Sequence, residues 1–149
     1  MNCKIENKVA IIGGASKGLG KACASSLARE GVNLVLCARN DDNLRETKDE
    51  ILSLYPEIEI LCIPADLSTI ESNEMVVRKT IERFNSIDIL INNSGGPKSG
   101  SYSSLSLIDY NEAFDSALMY AIRMIYNCLP YMKNKKWGRI INITSLSAK

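Results

Sequence analysis

A glycine-rich turn near the start of the chain constrains the fold more than any other feature. The apolar run 9–12 leads into residues 13–20, which read GGASKGLG, and a helix-like stretch follows. Glycine permits a tight turn and a close backbone approach, and the free N–H groups at the start of a helix attract anions. The segment therefore predicts a strand, a turn and a helix arranged to bind a phosphate. A tight turn without a ligand is the alternative, because any strand-to-helix connection can carry glycines.

Short apolar runs alternate with helix-like stretches along the chain. The runs are rich in Ile, Val and Leu and are mostly apolar on both faces, as expected of parallel strands covered by helices. The predicted strands are residues 9–12, 33–37, 58–63, 87–91 and 139–143. The predicted helices are residues 18–30, 41–54, 68–84, 106–116 and 118–135, and the last two can run together.

This alternation predicts an α/β fold of the Rossmann type, with a doubly wound parallel sheet. Right-handed crossovers give the strand order 3-2-1-4-5. The order reverses beside the glycine turn, and a ligand is expected in the crevice at that point. The length of 149 residues suits one domain that spans residues 1–149.

Local signals predict where the helices begin and end. Gly31 is the expected C-cap of the first helix. Asp41 and Ser68 are expected N-caps, and Glu71 lies at the capping-box spacing from Ser68. Pro130 predicts a kink or an early end of the last helix.

Composition argues against several classes of protein. The net charge of +1 gives no sign of a nucleic-acid binder. The five cysteines are scattered and histidine is absent, so we expect no metal site, and reduced thiols favour a cytoplasmic location. No run approaches the length of a membrane-spanning helix, and the polar N-terminus does not resemble a signal peptide. Any proton transfer must use a group other than histidine.

The end of the second predicted strand bears on the choice of nucleotide. NAD sites place an acidic residue there for the ribose 2′-hydroxyl, but this chain has Arg39. A guanidinium binds phosphate through two hydrogen bonds, and Lys17 in the glycine turn can add charge. We therefore favour NADP over NAD, and the alternative is that Arg39 is a solvated loop residue.

Polar residues follow the third and fourth predicted strands. Asp66, followed by Leu67, can accept a hydrogen bond from an adenine amino group, or it can be a turn residue before the next helix. Asn92 and Asn93 can tie neighbouring backbone segments together, and Gly95 lets the chain pass close to a ribose or a nicotinamide. A simple polar turn is the alternative.

Taken together, these segments resemble the short-chain dehydrogenase/reductase family, in particular enzymes of the 3-oxoacyl-[acyl-carrier-protein] reductase type. The matching segments fall in the order and spacing of the family over essentially the whole chain, at residues 14–20, 38–39, 66–67, 92–95 and 138–145. The candidate cofactor-binding residues are Gly14, Ser16, Lys17, Gly18, Leu19, Gly20, Arg39, Asp66, Leu67, Asn93 and Gly95.

The resemblance implies hydride transfer between NADP(H) and a carbonyl or alcohol substrate. Ser145 matches the catalytic serine of the family. The tyrosine and lysine of the family would lie beyond Lys149, so we expect this chain alone to be inactive and to be part of a longer one that supplies the later strands. Ala117 stands where the family has a catalytic asparagine.

Two further expectations follow from the resemblance. Relatives form dimers or tetramers, which implies a homo-oligomer. The missing catalytic groups leave a second hypothesis open, namely a nucleotide-binding module or oligomer partner without turnover. A methyltransferase is a third hypothesis, but it usually needs an acid where Ala38-Arg39 stands.

Overall fold

The computed structural model describes residues 3–144, so Ser145 lies outside the described residues. Helices and strands alternate through most of the described chain. The strands are β1 (Val9–Gly13), β2 (Asn33–Ala38), β3 (Ile60–Pro64), β4 (Ile89–Asn92) and β5 (Arg139–Asn142). The helices are α1 (Gly18–Arg29), α2 (Asp41–Leu54), α3 (Ile70–Phe84), α4 (Leu107–Phe114) and α5 (Tyr120–Asn134), with a 3₁₀ turn at Tyr102–Ser104 and a π-turn at Asp115–Met119.

The five strands form one parallel sheet in the order β3-β2-β1-β4-β5, which confirms the predicted fold class and topology. The central strand β1 is buried along its whole length. Its last residue, Gly13, pairs with Cys37 of β2, and Ile12 pairs with Ile91 of β4. The carboxyl ends of the three central strands therefore meet at one edge of the sheet.

Each face of the sheet has its own apolar core, because successive strand residues point to opposite faces. Ile11 and Val35 lie in the core against α3 and α5. Ile12 and Leu34 lie in the core against α1 and α2. Helices cover both faces, so the strands can be apolar throughout, which is the pattern that the sequence showed.

Two predicted helix N-caps were wrong by one residue each. The cap of α2 is Asn40, whose Oδ1 accepts from the Asn43 amide at 2.8 Å, and Asp41 is the first helical residue. The cap of α3 is Thr69 rather than Ser68, so the predicted capping box does not form. The Ser68 hydroxyl donates instead to the Asp66 carboxylate at 2.8 Å, and the Thr69 hydroxyl accepts from the Ser72 amide at 3.3 Å.

The helix ends follow tertiary packing as well as local signals. The C-cap of α1 is Glu30, and Gly31, which the sequence predicted as the cap, follows it at φ 74°. Pro130 does not end α5, which continues to Asn134. The proline is exposed, and Cys128 and Met132 on either side of it are buried, so their packing holds the helix in place. The two last predicted helices run together through the π-turn.

The five cysteines differ in burial. Cys37 and Cys128 are buried, Cys23 and Cys62 are half-buried, and Cys3 is exposed. Within residues 3–144, Cys23, Cys37, Cys62 and Cys128 form no disulfide. The strand β5 lies at the edge of the described sheet, and half of Ile141 is exposed (50%).

At the opposite edge from the glycine turn, Asp88 joins three segments. Its buried carboxylate accepts from the Val9 amide at 2.9 Å, from the Ser86 hydroxyl at 2.7 Å and from the Lys135 ammonium at 3.4 Å. The carboxylate therefore fixes the start of β1, the start of β4 and the end of α5.

We expect Asp88→Ala to lower the free energy of unfolding by about 1–3 kcal/mol, because the buried Val9 amide would lose its acceptor. The chain has one tryptophan, Trp137, so urea unfolding can be followed by its fluorescence. The matched control is Asp49→Ala at an exposed site on α2. An Asp88→Ala midpoint equal to that of the control would contradict this role.

Candidate functional site

The glycine turn is shaped by how closely three backbone segments approach one another. A Cβ added at Gly13 would lie 2.6 Å from the carbonyl oxygen of Asn93, and one added at Gly20 would collide with the carbonyl of Gly14. Gly14 adopts φ 57°, which L side chains rarely adopt. The three glycines are therefore required by the fold of this turn, whatever it binds.

Asn93, the residue after β4, holds the glycine turn in place. Its Nδ2 donates to the carbonyl of Gly13 at 3.2 Å, and a Cβ at Gly14 would lie 2.6 Å from the same atom. One asparagine therefore ties the end of β4 to the start of the turn. This is the backbone-tying role that the sequence suggested for the pair of asparagines.

The second asparagine, Asn92, faces the other neighbouring strand. Its Nδ2 donates to Oδ1 of Asn142 at 2.8 Å, which links the carboxyl ends of β4 and β5. Its own Oδ1 is buried and has no hydrogen-bond partner within residues 3–144. Gly95 lies just beyond, and the space around its Cα is open.

The first turn of α1 is open to a ligand. The helix N-cap is Lys17, which makes no side-chain capping bond, and the first turn carries no acidic residue. A Cβ at Gly18 would meet nothing within 4 Å, and Leu19 is 64% exposed. The backbone amides at this helix start therefore lack a side-chain acceptor, while α2, α3 and α4 each have a side-chain cap.

Other groups of the turn are already engaged with the protein. The Ala15 amide donates to the carbonyl of Cys37 at 3.0 Å, and the carbonyl of Ser16 accepts from the buried Thr47 hydroxyl at 3.3 Å. Such an arrangement of a fixed turn and unsatisfied helix amides suits an anionic group, because the positive end of the helix dipole lies there. The residues fit the pyrophosphate of a dinucleotide.

The ends of β2 and β3 add a positive and a negative group beside the turn. Arg39 and Asp66 are both exposed, and they follow β2 and β3 directly or within two residues. Hydrogen bonds from Ser68 lower the pKa of Asp66, and the nearby charge of Arg39 lowers it further. The carboxylate is therefore ionised at neutral pH and can accept hydrogen bonds.

Leu67 lies below the turn, half-buried. A Cβ at Gly13 would lie 3.3 Å from its Cδ1, so the side chain packs against the base of the turn. The structure thus brings together the glycine turn, Arg39, Asp66 and Asn93 at one edge of the sheet. Ser145 is the one candidate residue outside the described part of the chain.

Tyr120 is a residue near the site that sequence reasoning missed. It is 2% exposed, and a Cβ at Gly13 would lie 3.1 Å from its hydroxyl oxygen. Burial raises the pKa of the Tyr120 hydroxyl, which therefore keeps its proton at neutral pH. No local pattern marks this tyrosine, because it reaches the turn only through the packing of α5 on the sheet.

Ala117 lies in the π-turn between α4 and α5 and is exposed. Its methyl group offers no hydrogen bond. Whatever the π-turn contributes to the site, it does so through its backbone and through other side chains.

We expect Gly20→Ala to prevent the turn from closing, because its methyl group would collide with the Gly14 carbonyl. The melting temperature should fall, and binding of any dinucleotide should be lost in calorimetry. Gly96→Ala is the matched control, since a Cβ there meets nothing within 4 Å. Wild-type stability and binding in Gly20→Ala would refute the steric account.

No helix within residues 3–144 is long and apolar enough to cross a membrane. The same part of the chain holds no group of three side chains placed to ligate a metal ion.

Comparison with known proteins gives consistent results. The family profile of short chain dehydrogenases matches residues 8–149. The NADPH-dependent reductase BacG of Bacillus subtilis is 31% identical over 139 residues, which cover 93% of this chain and 54% of that protein. The chain thus spans about half the length of the curated relatives it matches.

Solved structures agree with the sequence comparison. L-sorbose reductase from Gluconobacter frateurii, in complex with NADPH and L-sorbose, superposes with a TM-score of 0.94 at 30% identity and covers 98% of this chain and 55% of its own. A 7α-hydroxysteroid dehydrogenase in complex with NADH superposes with a TM-score of 0.92 at 26% identity, over 99% of this chain and 56% of its own. Similar structures therefore include complexes with either nicotinamide cofactor.

Proposed function

The chain belongs to the short-chain dehydrogenase family, and we propose that residues 1–149 form the NADP-binding domain of an oxidoreductase that acts on a small carbonyl or alcohol substrate. The observation that carries this proposal is the uncapped first turn of α1, with open space above Gly18. A dinucleotide supplies the anion that those amides lack.

Each part of the site has a role in holding the cofactor. The pyrophosphate lies on the turn formed by Gly14, Ser16, Lys17, Gly18, Leu19 and Gly20. The adenosine end lies between Arg39, Asp66 and Leu67. The nicotinamide end lies near Asn93 and Gly95, and Ser145 binds the substrate oxygen, as the family resemblance implies. When bound, the reduced nicotinamide supplies a hydride.

The choice of NADP over NAD rests on charge. Arg39 occupies the position after β2, and its guanidinium is exposed and available to a 2′-phosphate. Asp66, the nearby acid, is engaged by Ser68 and belongs to a different strand end. A relative described as NADPH-dependent supports the same choice.

We expect Arg39→Asp to weaken NADPH binding by about 30-fold or more and to change NADH binding much less, because only NADPH carries the 2′-phosphate. Isothermal calorimetry with both cofactors measures this. Arg78→Asp, an equal change of charge on the exposed side of α3, is the control. Equal losses for the two cofactors would rule out a specific role for Arg39.

A second candidate function is a nucleotide-binding module without turnover. The exposed methyl group of Ala117 favours it, since the family resemblance expects an asparagine there. The complete gene product should be assayed with NADPH and a panel of carbonyl substrates. Tight cofactor binding without reduction of any of them supports the module, and turnover supports the enzyme.

We expect Ala117→Asn to change the Kd for NADPH by no more than about twofold, because residue 117 lies in the π-turn between α4 and α5 and not in the glycine turn. If the complete gene product is an enzyme that works without an asparagine at this position, the substitution changes its kcat. The pH dependence of kcat then shows the change. A change in Kd with constant kcat would show that residue 117 affects cofactor binding instead.

A homo-oligomer and a cytoplasmic location belong to the same proposal and rest on the resemblance.

A further inference from the structure

The loop between β3 and α3, residues 66–69, is held by hydrogen bonds to three successive carbonyl groups. The Asp66 carbonyl accepts from the Thr69 amide and hydroxyl, both at 3.3 Å. The Leu67 carbonyl accepts from Nδ2 of the buried Asn73 at 2.7 Å. The Ser68 carbonyl accepts from Nη1 of Arg123 at 2.8 Å. A short exposed loop with every carbonyl bound in this way is fixed in one conformation.

Arg123 differs from the other donors because it comes from α5, 55 positions along the chain. Its second nitrogen, Nη2, donates to the Asp115 carboxylate at 2.7 Å, and its side chain is only 21% exposed. Asp115 is the first residue of the π-turn. The planar guanidinium therefore binds the π-turn through one nitrogen and the loop 66–69 through the other.

Ser68 links Arg123 to Asp66 through hydrogen bonds. The Ser68 amide donates to Oδ1 of Asp66 at 3.0 Å, and its hydroxyl donates to the same oxygen at 2.8 Å. Ser68 is thus bound on one side by the guanidinium and on the other by the carboxylate. Within residues 3–144, no group donates a hydrogen bond to the other oxygen of Asp66, which is exposed. That oxygen is free to accept from a ligand.

We propose that Arg123 is a positioning residue for adenine recognition: through Ser68 it orients the Asp66 carboxylate toward the exocyclic amino group of the bound cofactor. This inference rests on the proposed function, because it takes the adenosine site beside Asp66 as its premise. Arg123 does not touch the cofactor in this account. It restricts the loop, so that the carboxylate does not have to be ordered when the ligand binds.

The test compares two ligands that differ at one group. In deamino-NADPH a carbonyl oxygen replaces the amino group of adenine, so it cannot donate to Asp66. The Kd values of NADPH and deamino-NADPH are measured by calorimetry on the full chain. We expect the wild-type protein to favour NADPH by about tenfold, as for a hydrogen bond to a charged group. In Arg123→Met the preference should fall to about twofold or less.

This ratio separates positioning from general structural support. Loss of Arg123 for merely structural reasons would weaken both ligands equally and leave the ratio unchanged, which would overturn the inference. Arg78→Met, an exposed arginine on α3 that pairs with Glu82, is the matched control and should keep the wild-type ratio. Trp137 fluorescence and the melting temperature confirm that each variant is folded.

A second variant covers the case in which Arg123→Met does not fold. Asp115→Ala removes the partner of Nη2 at a side chain that is 47% exposed. Release of the guanidinium should lower the ratio at least threefold, whereas an unchanged ratio would overturn the inference. A wild-type chain that does not bind NADPH refutes the proposed function itself. Wild-type binding without discrimination refutes only the role of Asp66 and, with it, that of Arg123.

Discussion

The structure depends on the close contact of three backbone segments at the carboxyl end of β1. The end of the strand, the first turn of α1 and the residue after β4 approach so closely that Gly13, Gly14 and Gly20 have no room for a Cβ. The amide of Asn93 closes this contact from β4. The contact leaves the amides of the helix start open, so the same few atoms set both the packing of the turn and the anion site that we propose there.

The part of the site that we propose for the adenosine is built in a different way. There the backbone is a short loop, and its shape comes from side chains that reach it from α3 and α5. Ser68 illustrates the difference, because it was expected to cap a helix and instead binds Asp66. Ser68 lies in a loop and is nevertheless hydrogen-bonded to its neighbours, and this gives the exposed Asp66 carboxylate a defined orientation.

The opposite edge of the sheet has stabilising contacts of its own. The Asp88 carboxylate accepts from the Val9 amide, which begins β1, and the cations of Lys8 and Arg139 lie 4.7 Å and 4.8 Å from the centre of the Trp137 ring. These contacts lie at the amino ends of the strands, away from the glycine turn. A parallel sheet separates the two tasks in this way, because its strands all begin at one edge and end at the other.

The sequence alone determined the fold class, the strand order and the glycine turn. Apolar runs that are hydrophobic on both faces admit few arrangements other than a covered parallel sheet, and the handedness of crossovers fixes the order. The continuation of α5 past Pro130, the burial of Tyr120 and the hydrogen bond from Arg123 to Ser68 were decided only by tertiary structure. Each of these joins residues far apart in the chain, or lets packing outweigh a local preference, so no neighbouring residues could reveal it.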